Sequence, residues 1–209
     1  MKIDEKVYRT IWPVTGADSP KNDAIFSVGI IDQTILPHRF EVKELRNLDE
    51  MIVAIKTMQV RGAPLIGAAA AYGMALAVQE NVSDLHIEKS AKALLQSRPT
   101  AINLRWAVNR MQSVLALLPS ESRNQAAWRE AALICDEDEQ INHAIGQYGL
   151  ALIQAASAKK TNESFNILTH CNAGWLATVD WGTALAPIYA AHDAGMSIHI
   201  WVDETRPRN

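Results

Sequence analysis

The segment Phe165–Asp180, FNILTHCNAGWLATVD, constrains the fold of this chain more than any other stretch. Phe165, Ile167 and Leu168 are apolar and strand-prone, and the small or turn-forming Asn172, Ala173 and Gly174 end the run. A helical pattern over Thr183–Ala194 follows, Gly195 stops it, and a second strand is expected over Ile198–Val202. Strand, helix and strand at this spacing make one βαβ unit. A parallel pair cannot cover both faces and both edges of its own sheet. The unit is therefore expected to open a larger Rossmann-like domain that is truncated here, with the missing C-terminal segment supplied elsewhere.

A single cysteine stands where this strand becomes loop. In open α/β sheets ligands bind beyond the carboxyl ends of the strands, and Cys171 falls at such an end. A thiol there is available for chemistry; a small buried hydrophobe is the alternative. His170 is a poor base for it, because successive strand residues face opposite sides. A Cys–His hydrolase built on this pair is disfavoured.

The fold class expected is α/β, with residues 1–160 forming an N-terminal β-hairpin and helical domain and residues 161–209 the start of the second domain. Ala24–Asp32 and Thr34–Val42 are apolar-rich and are expected to pair across a turn at Asp32-Gln33. A helix starts near Asn47, where Asn47 and Glu50 form a capping pair, and Leu48, Met51, Ile52, Ile55 and Met58 recur at helical spacing. It breaks at Arg61-Gly62-Ala63-Pro64, and Pro64 suits the first turn of a second helix. Leu65–Val78 is rich in alanine, which permits close approach, so this helix is expected to be buried. A third helix over Leu85–Gln96 stops at Ser97-Arg98-Pro99-Thr100. The fourth carries Leu104, Ala107, Val108, Met111, Leu115 and Leu118 on one face, and a longer one spans Ser122–Ala156. The polar run Lys159–Ser164 marks the domain boundary.

The two breaks matter for chemistry. Arg61-Gly62-Ala63-Pro64 sets a cation and backbone amides at a helix start, and that combination attracts anions. The planar fork of arginine suits phosphate. A tight helix corner with a solvated arginine is the alternative, and Arg98-Pro99-Thr100 taken alone reads as an ordinary helix boundary. Asp203 and Glu204 follow the second strand, where capping or loop ion pairing is as reasonable as a place in the site.

Other classes lose ground. A formal charge of −3 over 209 residues gives no basic footprint for nucleic acid. No apolar run reaches the length of a membrane span, and the N-terminus lacks a signal-peptide core. Two cysteines make no disulfide framework, and Cys135 lies in an apolar helix stretch that reads as core. A reducing cytoplasm is the expected compartment. Neither a dinucleotide glycine fingerprint nor a P-loop occurs, and His38, His86, His143, His192 and His199 show no ligand spacing. Nucleotide chemistry loses support, and no metal site is expected.

Six blocks then occur in order: DQTILP (Asp32–Pro37), MQVRGAPLIGAAAAYG (Met58–Gly73), RPTAINLRWA (Arg98–Ala107), LTHCNAG (Leu168–Gly174), GTAL (Gly182–Leu185) and DETRP (Asp203–Pro207). Together they resemble the methylthioribose-1-phosphate isomerases, relatives of the regulatory subunits of the eukaryotic initiation factor 2B. The resemblance implies a cofactor-free aldose–ketose isomerisation in methionine salvage, by ring opening and proton transfer from C2 to C1. It implies a proton-transfer role for Cys171 and substrate binding by Arg61, Gly62, Ala63 and Arg98. It also implies a homodimer.

Three departures qualify the resemblance. The family's catalytic aspartate, its general acid, lies beyond Asn209, as does a substrate-binding glutamine, so this chain is expected to be inactive alone. Trp175, Val179 and Trp181 replace residues that are usually smaller or different, and the indoles are expected to reshape the pocket. A related 5-deoxyribose or ribose phosphate would keep the same chemistry. The rival reading is a non-catalytic assembly protein of the regulatory-subunit type, which would not depend on the cysteine of THCN.

Overall fold

The first helix break fixes the centre of the molecule. In the computed structural model, which describes residues 1–15, 26–159 and 164–203, Pro64 lies in the first turn of α2 (Ala63–Glu80) and every residue from Leu65 to Val78 is buried. A helix apolar on all sides must be surrounded. Around α2 pack α1 (Leu48–Lys56), α3 (Asp84–Ser97), α4 (Ile102–Ala116) and α5 (Ser120–Ser157). Small residues allow the close approach: a Cβ on Gly73 would sit 3.1 Å from both Met51 and Leu94. Leu94, Leu104, Met111, Trp128 and Cys135 close the core from the neighbouring helices.

Local chemistry sets the helix starts. Asn47 Oδ1 accepts from the Glu50 amide at 2.9 Å, while Glu50 Oε2 accepts from Arg46 N rather than from the cap residue itself. Ser83 caps α3 through His86 N. Across α4 and α5, Arg110 binds Glu130 and Glu137.

The N-terminal strands differ from expectation. β1 (Lys2–Ile3) and β2 (Lys6–Val7) form a small hairpin through Asp4 and Glu5, both at positive φ. A three-stranded antiparallel sheet follows, in the order β3 (Ile11–Thr15), β4 (Phe26–Ile31), β5 (Val42–Leu45). β4 therefore does not turn at Asp32-Gln33 into a strand over Thr34–Val42. Asp32 Oδ1 accepts from both the amide and the hydroxyl of Thr34, which bends the chain into a loop, and β5 begins only at Val42, opposite Ile31. Ala24, at the start of the expected first strand, lies outside the described residues.

Downstream, β6 (Phe165–Thr169) and β7 (Ile198–Val202) pair in parallel, Phe165 opposite Ile198 and Thr169 opposite Val202. Between them lie a short 3-10 turn, Trp175–Ala177, and α6 (Ala186–Asp193). The expected βαβ unit is present, but its helix starts three residues later than the pattern indicates. The amides of Thr183 and Leu185 turn back to Ala173 O, which delays the first helical turn. Gly195, at φ 73°, ends the helix as a left-handed cap. α5 packs along α6, with Gly146 against the Ala186 carbonyl and Gly149 against the Pro187 ring. Residues 160–163 of the expected boundary, and Glu204–Pro207 of the DETRP block, lie outside the described residues. Among the described residues no helix is long and apolar enough to cross a membrane.

Candidate functional site

Both helix breaks and the β6 cysteine open onto one cavity of about 750 Å³. Its walls come from Met58, Arg61–Pro64 and Ile66 at the start of α2, Arg98 and Thr100–Asn103 between α3 and α4, and Cys171–Asn172 with Ala177 and Thr183 after β6. Arg61, Gly62, Ala63, Arg98 and Cys171, separated by up to 110 residues in the chain (171 − 61), thus share a surface.

Each wall has a local cause. Gly62 is the N-cap of α2 at φ 99°, a conformation that a side chain strains. A Cβ there would also lie 2.4 Å from Ala177 Cα and 2.5 Å from Ala177 O. The helix start and the loop after β6 touch only because this residue is glycine. Neither Gly62 nor Ala101, the N-cap of α4, supplies a side-chain oxygen to its helix. The positive ends of two helix dipoles therefore face the cavity beside two guanidinium groups. Burial lowers the Arg61 pKa, and arginine still carries its charge at neutral pH. The combined field favours an anion with several oxygens, as phosphate has.

Cys171 is exposed and adopts φ 70°, an uncommon value for a side-chain-bearing residue. It is therefore not the buried hydrophobe of the alternative reading. His170 lies outside the cavity wall and bonds Asp203 at 3.2 Å through Nδ1, with both groups largely exposed. Asp203 is taken up by His170 at the strand ends and does not line the cavity. Cys135 is the contrasting thiol: it is fully buried, and burial pushes its pKa up to about 12.

The indoles stand elsewhere than expected. Trp175 and Trp181 line a second cavity of about 710 Å³, together with Asp180 and Tyr189, and Val179 is wholly within the core. The cause is the 3-10 turn, which carries Trp175 to the far side of the loop from Ala177. Neither indole lines the first cavity, whose large apolar walls are Met58, Ile66 and Ile102. Asn103, Asn172 and Thr183 are wall residues that sequence reasoning passed over, although each lies inside one of the six blocks.

The loop is held from three sides. Thr10 N donates to Val179 O and Thr10 Oγ1 to Thr178 O; Gln33 Nε2 donates to Leu176 O at 2.7 Å; Val179 N donates to Asp138 Oδ2 at 2.8 Å. Nothing local in the sequence marks these three residues.

Residues 59–209 match the family described as Initiation factor 2 subunit family. The chain belongs to that family. Among curated family relatives, the methylthioribose-1-phosphate isomerase of Methylorubrum extorquens is 56% identical over 209 residues, covering 100% of this chain and 55% of the relative. The methylthioribose-1-phosphate isomerase of Rhodospirillum rubrum is 54% identical over 214 residues, covering 100% and 53%. The chain spans about half the length of the curated relatives it matches. Two solved structures resemble it at a TM-score of 0.75. One is 5-methylthioribose 1-phosphate isomerase from Pyrococcus horikoshii, 35% identical over 96% of this chain and 54% of that chain. The other is the translation initiation factor eIF-2B delta subunit from A. fulgidus, 37% identical over 96% and 55%.

Proposed function

We propose that this chain contributes the phosphate-binding and thiol-bearing part of a sugar-phosphate isomerase that converts 5-methylthioribose 1-phosphate to 5-methylthioribulose 1-phosphate. The observation that carries the reading is the single cavity shared by Arg61, Gly62, Ala63, Arg98 and Cys171. The names of the relatives agree with it.

The substrate's phosphate occupies the anomeric oxygen, so the ring cannot open by the free-sugar route. A general acid protonates the ring oxygen, and a second group carries a proton from C2 to C1. In this chain Arg61 and Arg98 hold the phosphate dianion at the two helix starts, and the Gly62 and Ala63 backbone fits closely around it. Cys171 is the proton-transfer group at the strand end. The general acid is an aspartate supplied by a segment beyond Asn209. A related 5-deoxyribose or ribose phosphate fits the same chemistry. A division near residue 160, a Rossmann-like completion of the β6–β7 sheet, a homodimer and a cytoplasmic location belong to the same reading.

One observation favours a second reading. The initiation-factor subunit matches as well as the isomerase in TM-score and slightly better in identity, which fits a non-catalytic assembly protein. Cys171 separates the two. In the isomerase reading, methylthioribose 1-phosphate slows alkylation of Cys171 by iodoacetamide, and Arg61→Ala or Arg98→Ala abolishes the protection. Adding a polypeptide that carries the aspartate restores turnover, and Cys171→Ser removes it. A thiol alkylated at the same rate with and without the sugar phosphate would falsify the isomerase reading.

A further inference from the structure

We propose that Asp138, in the middle of α5, is a positioning residue for the candidate site, acting on Cys171 through the backbone of the loop after β6. The inference rests on the isomerase reading of that site. Asp138 is outside the cavity wall. Its Oδ2 accepts from Val179 N at 2.8 Å, and the Val179 side chain is fully buried in the core, so the loop has one fixed point on α5.

From that point a chain of bonds leads back to the cysteine. Thr178 Oγ1 donates to Asp180 O and accepts from Gly182 N at 2.9 Å, which closes the turn. Gly182, at φ 80°, backs onto Gly174 so closely that a Cβ would lie 2.5 Å from the Gly174 carbonyl carbon. The Thr183 and Leu185 amides then bond Ala173 O, two residues from Cys171. Thr10 is the second anchor, through Val179 O and Thr178 O.

The carboxylate is costly where it stands. Its donor is the neutral Val179 amide, Asn142 Nδ2 donates to the Asp138 backbone carbonyl, Glu139 adds a like charge nearby, and burial raises the carboxylate's pKa. The structure holds it for the oxygen that meets Val179 N. If the loop slips when that oxygen is lost, Cys171 and Ala177 move relative to Gly62, and displacements below 1 Å are expensive in a preorganised site.

The test uses the 209-residue chain and reads the rate of Cys171 alkylation by iodoacetamide with and without methylthioribose 1-phosphate. The wild-type chain gives the reference protection; its absence would sink the isomerase reading rather than this one. Asp138→Leu is expected to weaken protection by about tenfold, with the far-ultraviolet circular dichroism spectrum unchanged. Asp138→Asn keeps an acceptor oxygen and is expected to retain protection within about twofold. Thr10→Val, nearly isosteric, removes the hydroxyl bond and is expected to weaken protection in the same direction, and it decides the matter if Asp138→Leu does not fold. Wild-type protection in a folded Asp138→Leu variant would overturn the proposal, as would wild-type protection in Thr10→Val where Asp138→Leu does not fold, or an Asp138→Asn variant as impaired as Asp138→Leu.

Discussion

Helix α2 and the strand pair β6–β7 are both apolar by sequence, yet the fold treats them in opposite ways. Leu65–Val78 is buried without interruption, whereas Leu168, Trp201 and Val202 on the strands are 68%, 58% and 67% exposed. Four helices enclose α2, while the described residues give the parallel pair only one helix between its strands and no third strand. Apolar content alone therefore does not decide burial; the number of neighbours available to an element does. The candidate site lies between the two regions, drawing Arg61 and Gly62 from the packed one and Cys171 from the open one. The thiols repeat the contrast, Cys135 within the core and Cys171 at the surface.

The difference can be broken or sharpened by substitution. Leu94 is fully buried against α2, and Leu94→Ala is expected to cost about 2–5 kcal/mol by urea unfolding, the sum of lost transfer energy and a cavity. Gly62→Ala comes next, at about 1–3 kcal/mol, because the new Cβ meets Ala177 in a strained conformation. The same variant should change the Cys171 alkylation rate, and an unchanged rate would argue that the two regions are not in contact there.

The buried thiol gives a pH signature. Cys135 has a folded pKa raised to about 12 from 9.0, so its contribution to stability is complete below pH 9 and is lost as pH rises from 9 toward 12. The slope is at most about 1.4 kcal/mol per pH unit. Tyr72, whose hydroxyl is also raised by burial, adds a loss of the same sign above its ordinary value of 10.0. Cys135→Val should flatten the decline of urea midpoints between pH 9 and 11, and an equally steep decline in the variant would contradict this account. The smallest effect belongs to the open region: Leu168→Ala should change stability by no more than about 0.5 kcal/mol. A cost matching that of Leu94→Ala would erase the contrast.

Much of this was legible in the chain, and the pattern of misses has a physical basis. Helices α1 to α5 follow from periodicity and breakers at Asn47, Pro64, Pro99 and Pro119, because helical hydrogen bonds are local. The arginines and Cys171 were readable for the same reason, each standing at an element's end. Strand pairing was not. Asp32 spends its carboxylate on a local turn with Thr34, and the hairpin through Asp4 and Glu5 uses neither glycine nor asparagine. The walls brought by Ala177 and Thr183, and the ties from Thr10, Gln33 and Asp138, join positions from 41 to 169 residues apart, and no local pattern encodes them. The indoles of Trp175 and Trp181 are close to Cys171 in sequence but not to its cavity, because the 3-10 turn between them redirects the chain.

The single helix α5, 38 residues and about 57 Å long, touches both regions: Ala131 and Cys135 face the core, Gly146 and Gly149 face α6. It therefore acts as a ruler with a phase. One residue inserted between Cys135 and Gly146 would rotate the far half by about 100°, turning both glycines off the α6 seat. Seven residues would restore the angle to within about 20° while adding about 10 Å of length. Such a pair of insertions would tell whether the molecule depends on the bearing of its two halves or on the span between them.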